Sequence, residues 1–263
     1  MKLLAAILCL VFTAQAQELS DPVVVAAVSG LTVKGCTLWV KGESSVDSIG
    51  NYTITGTTDH AAGISGTAIN FTSASQYLTV HGFHLNPTIS IEFWVYLRGY
   101  TGFGINQPYV NYNIFGIHPP TGGGIAVLAH VYWPQTLDFA SQSSVYGWQW
   151  ANLIGNSVGA QVPITLNTWH HIAFTSDASA SSDLLRAKAY IDGQSYYVQS
   201  ATALDGVIVD MTADYDIGGS DNGGNPPDGM LNDFCVYNRV LSAKEIGAIY
   251  AAGLTHTPVT RLK

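Results

Sequence analysis

Basic residues are scarce in this sequence. Its 263 residues include 10 lysines and arginines against 18 aspartates and glutamates, which gives a formal net charge of -8 at pH 7. Charged residues make up 11% of the chain, whereas a soluble domain usually has about 25%. Nucleic-acid binding depends on lysine and arginine contacts to phosphates. The composition therefore argues against nucleic acid and acidic membranes as partners.

Long apolar runs are also missing, since no stretch approaches the roughly 20 residues that a membrane span requires. A shorter run at residues 3–12 follows Lys2 and precedes an A-x-A tripeptide at 14–16, which is the pattern of a secretory signal peptide. We expect residues 1–16 to be removed and the protein to be secreted, extracellular or at the cell surface. A signal anchor is the alternative.

Cysteine is rare, and the expected mature chain keeps only Cys36 and Cys235, one near each end. In an oxidising compartment such a pair is a disulfide candidate. Closing a loop of this length removes about 5 kcal/mol of unfolded-chain entropy in the simplest model. Two buried free thiols are the alternative. If the bridge forms, the first and last core strands are neighbours.

Helix signals are few, and strand signals recur along the chain between Gly, Asn, Asp and Pro. Asp192-Gly193 predicts a two-residue hairpin turn. The best alternation lies in residues 88–97, with Ile, Ile, Phe and Val on one face and Glu92, Trp94 and Tyr96 on the other. Near the end, Ser242 and Glu245 form a capping-box pattern, and Gly253 offers a left-handed helix stop. We expect many short strands and one short C-terminal helix.

Six segments carry a resemblance to a known family: GTAINFTSASQYLTV (66–80), SIEFWVYL (90–97), TWHHIAFTSD (168–177), AYIDG (189–193), YDIGG (215–219) and GMLNDFCVYNRVLSAKEIGAIYAAG (229–253). In this order they resemble the concanavalin A-like jelly rolls of the laminin-G type. The resemblance implies an all-β sandwich of two curved antiparallel sheets, often a glycan- or protein-binding module and sometimes a calcium site. It divides the chain into a signal peptide (1–16), a strand-like arm (17–35), the jelly roll (36–253) and a C-terminal tail (254–263).

Glutamate is too scarce for the usual glycosidase pattern. Retaining glycoside hydrolases need two carboxylates about 5 Å apart, and this chain has four glutamates in all. Glu92 has Ser90 and Trp94 two places away, so its strand offers no acidic partner. We therefore expect binding without turnover, with glycoside hydrolase activity as the less favoured alternative.

The segment 99–163 is longer and more aromatic than is usual for the family. Sugar binding uses aromatic rings against the apolar side of a pyranose and amides for its hydroxyls. The candidate glycan-binding residues are Trp133, Tyr146, Trp148, Trp150, Tyr112 and Asn111. The alternative is that these rings cap the ends of the sandwich or fill a subunit contact.

A calcium site is the candidate metal centre, because Ca²⁺ takes several Asp, Asn and carbonyl oxygens. The candidate ligands are Asp233, Asp47, Asp221 and Asp228. Turn formation and capping are the alternative role for these acids. Zinc is disfavoured, because the adjacent His170 and His171 point to opposite faces of a strand, and we expect satisfied ring nitrogens in both.

Asn51 and Asn70 begin N-glycosylation sequons, of which Asn51 is the better candidate because Asn70 lies in an apparent core strand. Two functional hypotheses remain. The protein is a secreted lectin-like module for glycans or glycoproteins, or it is a structural subunit of an extracellular filament or matrix. In the second case residues 22–28 of the arm add as a strand to a neighbour's sheet.

Overall fold

The computed structural model describes residues 31–99, 112–118, 124–130, 136–143, 147–153, 164–180, 187–196, 198–200, 211–219 and 226–263. The signal peptide and most of the arm lie outside these residues. Within them the chain forms eighteen strands and one helix, α1 (Ala243–Leu254). No helix in this part of the chain is long and apolar enough to span a bilayer.

The strands follow the order β1 (Thr32–Lys34), β2 (Cys36–Val40), β3 (Ile54–Thr57), β4 (Asp59–Ala62), β5 (Thr67–Asn70), β6 (Tyr77–Leu85), β7 (Ile89–Leu97), β8 (Tyr112–His118), β9 (Gly124–His130), β10 (Thr136–Ser143), β11 (Gly147–Leu153), β12 (Trp169–Ser176), β13 (Ala187–Ile191), β14 (Gln194–Tyr196), β15 (Val198–Ser200), β16 (Met211–Ile217), β17 (Gly229–Tyr237) and β18 (Thr260–Leu262). Two of them, β10 and β11, lie in the aromatic segment 99–163 at positions where the sequence predicted no strand. That segment is therefore part of the sandwich rather than a long loop.

Two antiparallel sheets of eight strands each make up the sandwich. The first has the order β14-β13-β12-β7-β17-β5-β4, with β2 also paired to β17. The second has the order β15-β11-β10-β9-β8-β16-β6-β3. A separate two-stranded parallel ribbon joins β1 to β18. The all-β jelly-roll sandwich with one short helix predicted from the sequence is confirmed.

The main core lies between the two sheets. From β7 it takes the alternating apolar residues that the sequence assigned to one face, beginning with Ile89 and ending with Leu97. Aromatic rings fill its centre, where Phe115 stacks on Tyr215 at 5.1 Å and Phe83 meets both rings edge-on. Each large apolar side chain buried here contributes about 1.5–3 kcal/mol, so this layer holds the sheets together.

The opposite face of β7 is buried as well, because α1 packs on it. Trp94 is 2% exposed and stacks on Tyr250 of the helix at a centroid distance of 5.7 Å. The predicted capping box is present, since Ser242 accepts the N–H of Glu245 and Glu245 accepts the N–H of Ser242. The predicted helix stop at Gly253 is wrong: the helix continues to Leu254, and Gly253 instead makes room for Trp94, whose ring a Cβ there would meet at 2.2 Å.

The ribbon β1–β18 brings the two ends of the described chain together. Its register pairs Thr32 with Thr260 and Lys34 with Leu262. The central pair, Val33 and Arg261, is buried, while the flanking residues are exposed. The last residues of the predicted arm and the strand-like tail therefore bind each other within one chain.

The two cysteines lie on neighbouring strands, as the sequence predicted, because β2 pairs with β17. Both are buried free thiols, so the predicted disulfide is not formed in this structure. Each thiol instead donates to a carbonyl two residues away, Cys36 to Leu38 and Cys235 to Asp233, both at 3.3 Å. Burial raises the pKa of Cys235 well above its usual value. Since the thiolate is the reactive form, the bridge stays a prediction about the oxidised protein.

Candidate functional site

The predicted glycan-binding residues divide between described and undescribed parts of the chain. Trp133, Tyr146 and Asn111 lie outside the described residues. Tyr112 begins β8, and Trp148 and Trp150 belong to β11. Both strands are in the second sheet, separated by β9 and β10. The fold therefore brings three of the six candidates into one sheet, although 36 residues of sequence separate Tyr112 from Trp148.

Asp47 organises a loop. Its Oδ1 accepts the N–H groups of Trp39 at 3.0 Å and Ile49 at 2.9 Å, and its Oδ2 accepts those of Asn51 at 2.8 Å and Tyr52 at 3.1 Å. A carboxylate that accepts four backbone N–H groups is a turn former. The alternative role considered for this acid therefore fits its contacts.

The other predicted calcium ligands do not converge. Asp228 pairs with Arg98 at 2.8 Å, and Asp233 accepts the indole N–H of Trp39 at 3.0 Å. Asp221 lies outside the described residues. Over the part of the chain that the structure describes, no group of three or more His, Cys, Asp or Glu side chains could hold a metal ion. Calcium stays a prediction.

The two sequons differ in accessibility. Asn51 is exposed, and its Nδ2 donates to the carbonyl of Thr37 at 2.8 Å. Asn70 is partly buried, and its Oδ1 accepts from Arg98 Nη1 at 2.8 Å. A glycan would attach to Nδ2, so the greater exposure of Asn51 keeps it as the better prediction.

Glu92 is at the centre of a fully buried polar cluster on the outer side of the first sheet. Its Oε1 accepts from Arg261 Nη2 at 2.8 Å and from the Tyr237 hydroxyl at 3.1 Å, and its Oε2 accepts from His171 Nε2 at 3.0 Å. The side chains of Glu92 and His171 are 0% exposed and that of Arg261 is 2% exposed. The guanidinium also lies 4.9 Å from the ring centroid of Trp39, a cation–π distance.

The electrostatics of this cluster keep Glu92 ionised. Burial alone raises the pKa of a carboxyl, but the charge of Arg261 and the hydrogen bond from His171 outweigh it and lower the pKa of Glu92 to about 2. The ribbon and α1 close the site from outside. Glu92 therefore faces a cation in the protein interior rather than an acid across a groove. The expectation that both ring nitrogens of His171 are satisfied is wrong, since its Nδ1 has no partner in the described part of the chain.

The outer side of the second sheet is open around His81. We call this surface the polar face; its described residues on β3, β6 and β16 are Thr55, Thr57, His81, His84, Thr212 and Asp214. They alternate with core residues such as Val80 and Tyr215, so they point away from the core. The side chains of His81 and Asp214 are 41% and 38% exposed.

A β-bulge positions the centre of the polar face. Between Ala213 and Tyr215 the register of β16 on β6 shifts, and Asp214 holds the bulged segment. Its Oδ1 accepts the N–H of Gly82 at 2.8 Å and its Oδ2 accepts from His81 Nδ1 at 2.8 Å. The other ring nitrogen of His81 lies 2.7 Å from the Thr55 hydroxyl. Two places from Asp214, Asp216 is buried and accepts from Thr79 at 2.7 Å.

Sequence reasoning missed this arrangement. The signal was present, because Asp214 and Asp216 alternate in one strand and His81 alternates with Thr79 in another. Only the pairing of β16 with β6 places the two rows side by side. In the structure His81 contacts Asp214 and His84 contacts Thr212 across this pair of strands.

Comparison with known proteins places this geometry in a family. A family model described as the concanavalin A-like lectin/glucanases superfamily, of laminin-G type, matches residues 71–247. No protein with a curated description matches the sequence. Domain 4 of AbnA, a GH43 extracellular arabinanase from Geobacillus stearothermophilus solved in complex with arabinotriose, has a TM-score of 0.60 at 18% identity, over 82% of this chain and 98% of that domain.

Two toxin domains are similar in structure. The binding domain of Paraclostridial Mosquitocidal Protein 1 has a TM-score of 0.60 at 16% identity, over 82% of this chain and 52% of that one. The botulinum neurotoxin serotype D ligand binding domain, in complex with N-acetylneuraminic acid, has a TM-score of 0.58 at 15% identity, over 82% of this chain and 50% of that one. This chain spans about half the length of these toxin domains. At such identities the likeness shows the fold, and with the family match it establishes that the chain belongs to the concanavalin A-like lectin/glucanase superfamily.

Proposed function

We propose that this protein is a secreted carbohydrate-binding module that holds a glycan, or a glycosylated surface, on the second sheet without turnover. The observation that carries the proposal is the polar face, where a hydroxyl, an imidazole and a carboxylate are fixed in one exposed row: Thr55, His81 and Asp214. Such groups donate to and accept from the hydroxyls of a sugar, and fixed groups lose little entropy on binding.

Aromatic residues add the second component of sugar recognition. Tyr112, Trp148 and Trp150 belong to strands of the sheet that carries the polar face. Rings bind the apolar side of a pyranose, and hydrogen-bonding groups fix its orientation. The relatives in this fold that were solved with arabinotriose and with N-acetylneuraminic acid support a sugar as the ligand.

The proposal of binding without turnover rests on where the carboxylates lie. Glycosidic cleavage needs two carboxyl groups flanking the bond, one of them able to donate a proton. Glu92 is buried against Arg261, and Asp216 is buried against Thr79. Asp214 is exposed, but both its oxygens accept hydrogen bonds that hold the bulge. This distribution favours binding over glycosidase chemistry.

A glycan array with titration calorimetry on the hits tests the proposal. We expect binding to at least one glycan, and a loss of about tenfold or more for His81→Ala, since a buried hydrogen-bonding group at a sugar site is worth about 1–3 kcal/mol. The matched control is His60→Ala, because His60 lies on β4 at the far edge of the first sheet. Loss of binding in the control alone, or a blank array for the folded wild type, contradicts the proposal. Repeating the array with a chelator tests whether binding depends on calcium.

The structural-subunit hypothesis keeps one supporting observation. Residues 32–34 of the arm do form a strand, and the ribbon they make with β18 is a two-stranded sheet separate from both large ones. A short sheet of this kind offers backbone groups to an added strand. Light scattering on the array sample tests it: assemblies that disappear when residues 17–30 are deleted support a scaffold, and a monodisperse wild type opposes it.

A further inference from the structure

The two sheets differ in charge. The eight strands of the second sheet contain no lysine or arginine, and their charged residues are Asp138, Asp214 and Asp216. Four of the chain's eight histidines also lie in these strands: His81, His84, His118 and His130. At neutral pH the sheet that carries the polar face therefore has a net negative charge.

The described basic residues all belong to the other side of the molecule. Lys188 is in β13, Lys41 follows β2 and Arg98 follows β7, all in the first sheet, and the remainder lie on α1, the ribbon or their flanks: Lys34, Arg239, Lys244, Arg261 and Lys263. Residues 99–185, which include β8 to β12, contain no lysine or arginine at all. The four consecutive strands of the second sheet from β8 to β11 are therefore joined by sequence that contains no lysine or arginine.

Three of those basic residues are also occupied by acids or carbonyls. Arg98 pairs with Asp228, Arg239 with Glu245 and Arg261 with Glu92. Carboxylates and sulfates on a ligand are recognised by arginine and lysine. A like charge beside Asp214 costs free energy instead, because two unit charges 4 Å apart at a protein surface repel appreciably. Among the residues that the structure describes, no lysine or arginine of the second sheet would compensate the repulsion of an anionic sugar on the polar face.

We infer that the polar face selects uncharged, hydroxyl-rich glycans and rejects glycans that carry carboxylate or sulfate groups. This inference rests on the proposed function and adds its ligand class. The selection between neutral and acidic glycans follows from charge. The polar face supplies the carboxylate oxygens of Asp214, the hydroxyl of Thr55 and the ring of His81, and each of these groups can hydrogen-bond to a sugar hydroxyl. The described strands of this face supply no lysine or arginine for an acidic group.

The test uses an array of neutral oligosaccharides in which each is paired with its own C6-oxidised, carboxylated form. We expect the oxidised form of a bound glycan to bind about tenfold or more weakly at low salt. That ratio should shrink in 1 M NaCl, where the Debye length falls to about 3 Å. A salt-independent loss would point to a missing C6 hydroxyl rather than to charge and would overturn the inference.

A charge variant and its matched control complete the test. Thr57→Lys places a cation on β3, the outermost strand of the second sheet, two residues from Thr55. Ser195→Lys places the same charge on the exposed surface of β14, the outermost strand of the first sheet. We expect Thr57→Lys alone to improve binding of the oxidised form, by about threefold, the size of an exposed ion pair.

Three outcomes distinguish the proposed function from the proposed charge selection. Neutral binding with charge-dependent rejection supports both. Equal binding of neutral and oxidised glycans, or binding of acidic glycans alone, overturns the charge selection and leaves the proposed function standing. A blank array with folded protein overturns the proposed function and the selection with it.

Discussion

The outer faces of the two sheets carry the same kinds of side chain in opposite settings. On the first sheet, Glu92 and His171 are sealed under α1 and the ribbon at 0% exposure. On the second, Asp214 and His81 make a contact of 2.8 Å, against 3.0 Å for the buried pair, at about 40% exposure. What covers the sheet decides whether a carboxylate–histidine pair is buried in the fold or open to solvent.

His170 and His81 show the same contrast in the partners of their ring nitrogens. His170 Nδ1 donates to Asp192, and its Nε2 accepts the backbone N–H of Thr165 at 3.2 Å. Both ring nitrogens are thus satisfied, as the sequence predicted for this residue, and the ring is locked beside the Asp192-Gly193 hairpin turn, where both residues have positive φ. His81 has partners of the same kind, Asp214 and Thr55, but within the described residues its Nε2 contacts a hydroxyl rather than a backbone N–H. His81 can therefore exchange its threonine contact for a ligand hydroxyl.

The largest effect is expected from breaking the sealed face at Arg261. Arg261→Met leaves Glu92 buried without its cation, and removing one member of a buried ion pair costs about 3–5 kcal/mol. Urea unfolding followed by tryptophan fluorescence measures the loss. The control on the open face, Thr55→Val, should change the unfolding free energy by less than about 0.5 kcal/mol.

A double variant separates charge from packing in this prediction. Arg261→Met combined with Glu92→Gln removes both charges and should recover much of the stability, because an uncharged pair carries a smaller desolvation penalty. If Arg261→Met is as harmless as Thr55→Val, the ribbon does not seal the face and the comparison fails.

The second-largest effect is expected from acid, which should lower the free energy of unfolding through Glu92 on the sealed face. The pKa of Glu92 is lowered to about 2 in the folded protein, against about 4.3 for an unfolded glutamate. A depressed carboxyl pKa stabilises the fold above the unfolded value, and that stability is lost as pH falls from about 4.3 to about 2. Urea unfolding at several pH values should show a steep decline there. In the double variant the free energy of unfolding should fall less steeply with pH. The fall that remains comes from Glu245, because the hydrogen bond from Arg239 lowers the pKa of that carboxyl to about 2 as well.

The smallest effects on stability are expected at two glycines of α1. Gly253→Ala adds a Cβ that would lie 2.2 Å from the buried ring of Trp94, so we expect destabilisation of about 1–3 kcal/mol from overpacking, reduced by the better helix propensity of alanine. Gly247→Ala meets nothing within 4 Å and should stabilise by up to about 1 kcal/mol. Thermal unfolding of the two variants should therefore shift in opposite directions. A stabilising Gly253→Ala would show that the helix does not press on Trp94.

Local patterns predicted much of the fold. The alternation in β7, the hairpin turn at Asp192-Gly193 and the capping box at Ser242 were all readable, because each depends on residues close in sequence. The neighbouring positions of the strands that carry Cys36 and Cys235 also followed from the sequence. For the thiols themselves the sequence favoured a disulfide and left two buried free thiols as the alternative, because burial and pKa are properties of the folded core.

The candidate site was harder to predict. The sequence directed attention to aromatic residues in 99–163 and to acids near Asp47 and Asp228. It also placed Glu92 in a strand without an acidic neighbour. It could not show that Asp47 would be used by four backbone N–H groups or that Arg261, 169 residues away, would cover Glu92. The polar face depends on a bulge in the pairing of β6 with β16, where Gly82 and Asp214 are in contact although 132 residues separate them in sequence.

By itself the sequence determined that this is a β sandwich with few charges and a capped C-terminal helix. Only the tertiary structure decided which face is covered, and hence that Glu92 is buried with Arg261 while Asp214 is exposed with His81. The physical reason is that alternation places a side chain on one side of a sheet, whereas its solvation, and so its charge and its partners, depends on what a distant part of the chain lays over it.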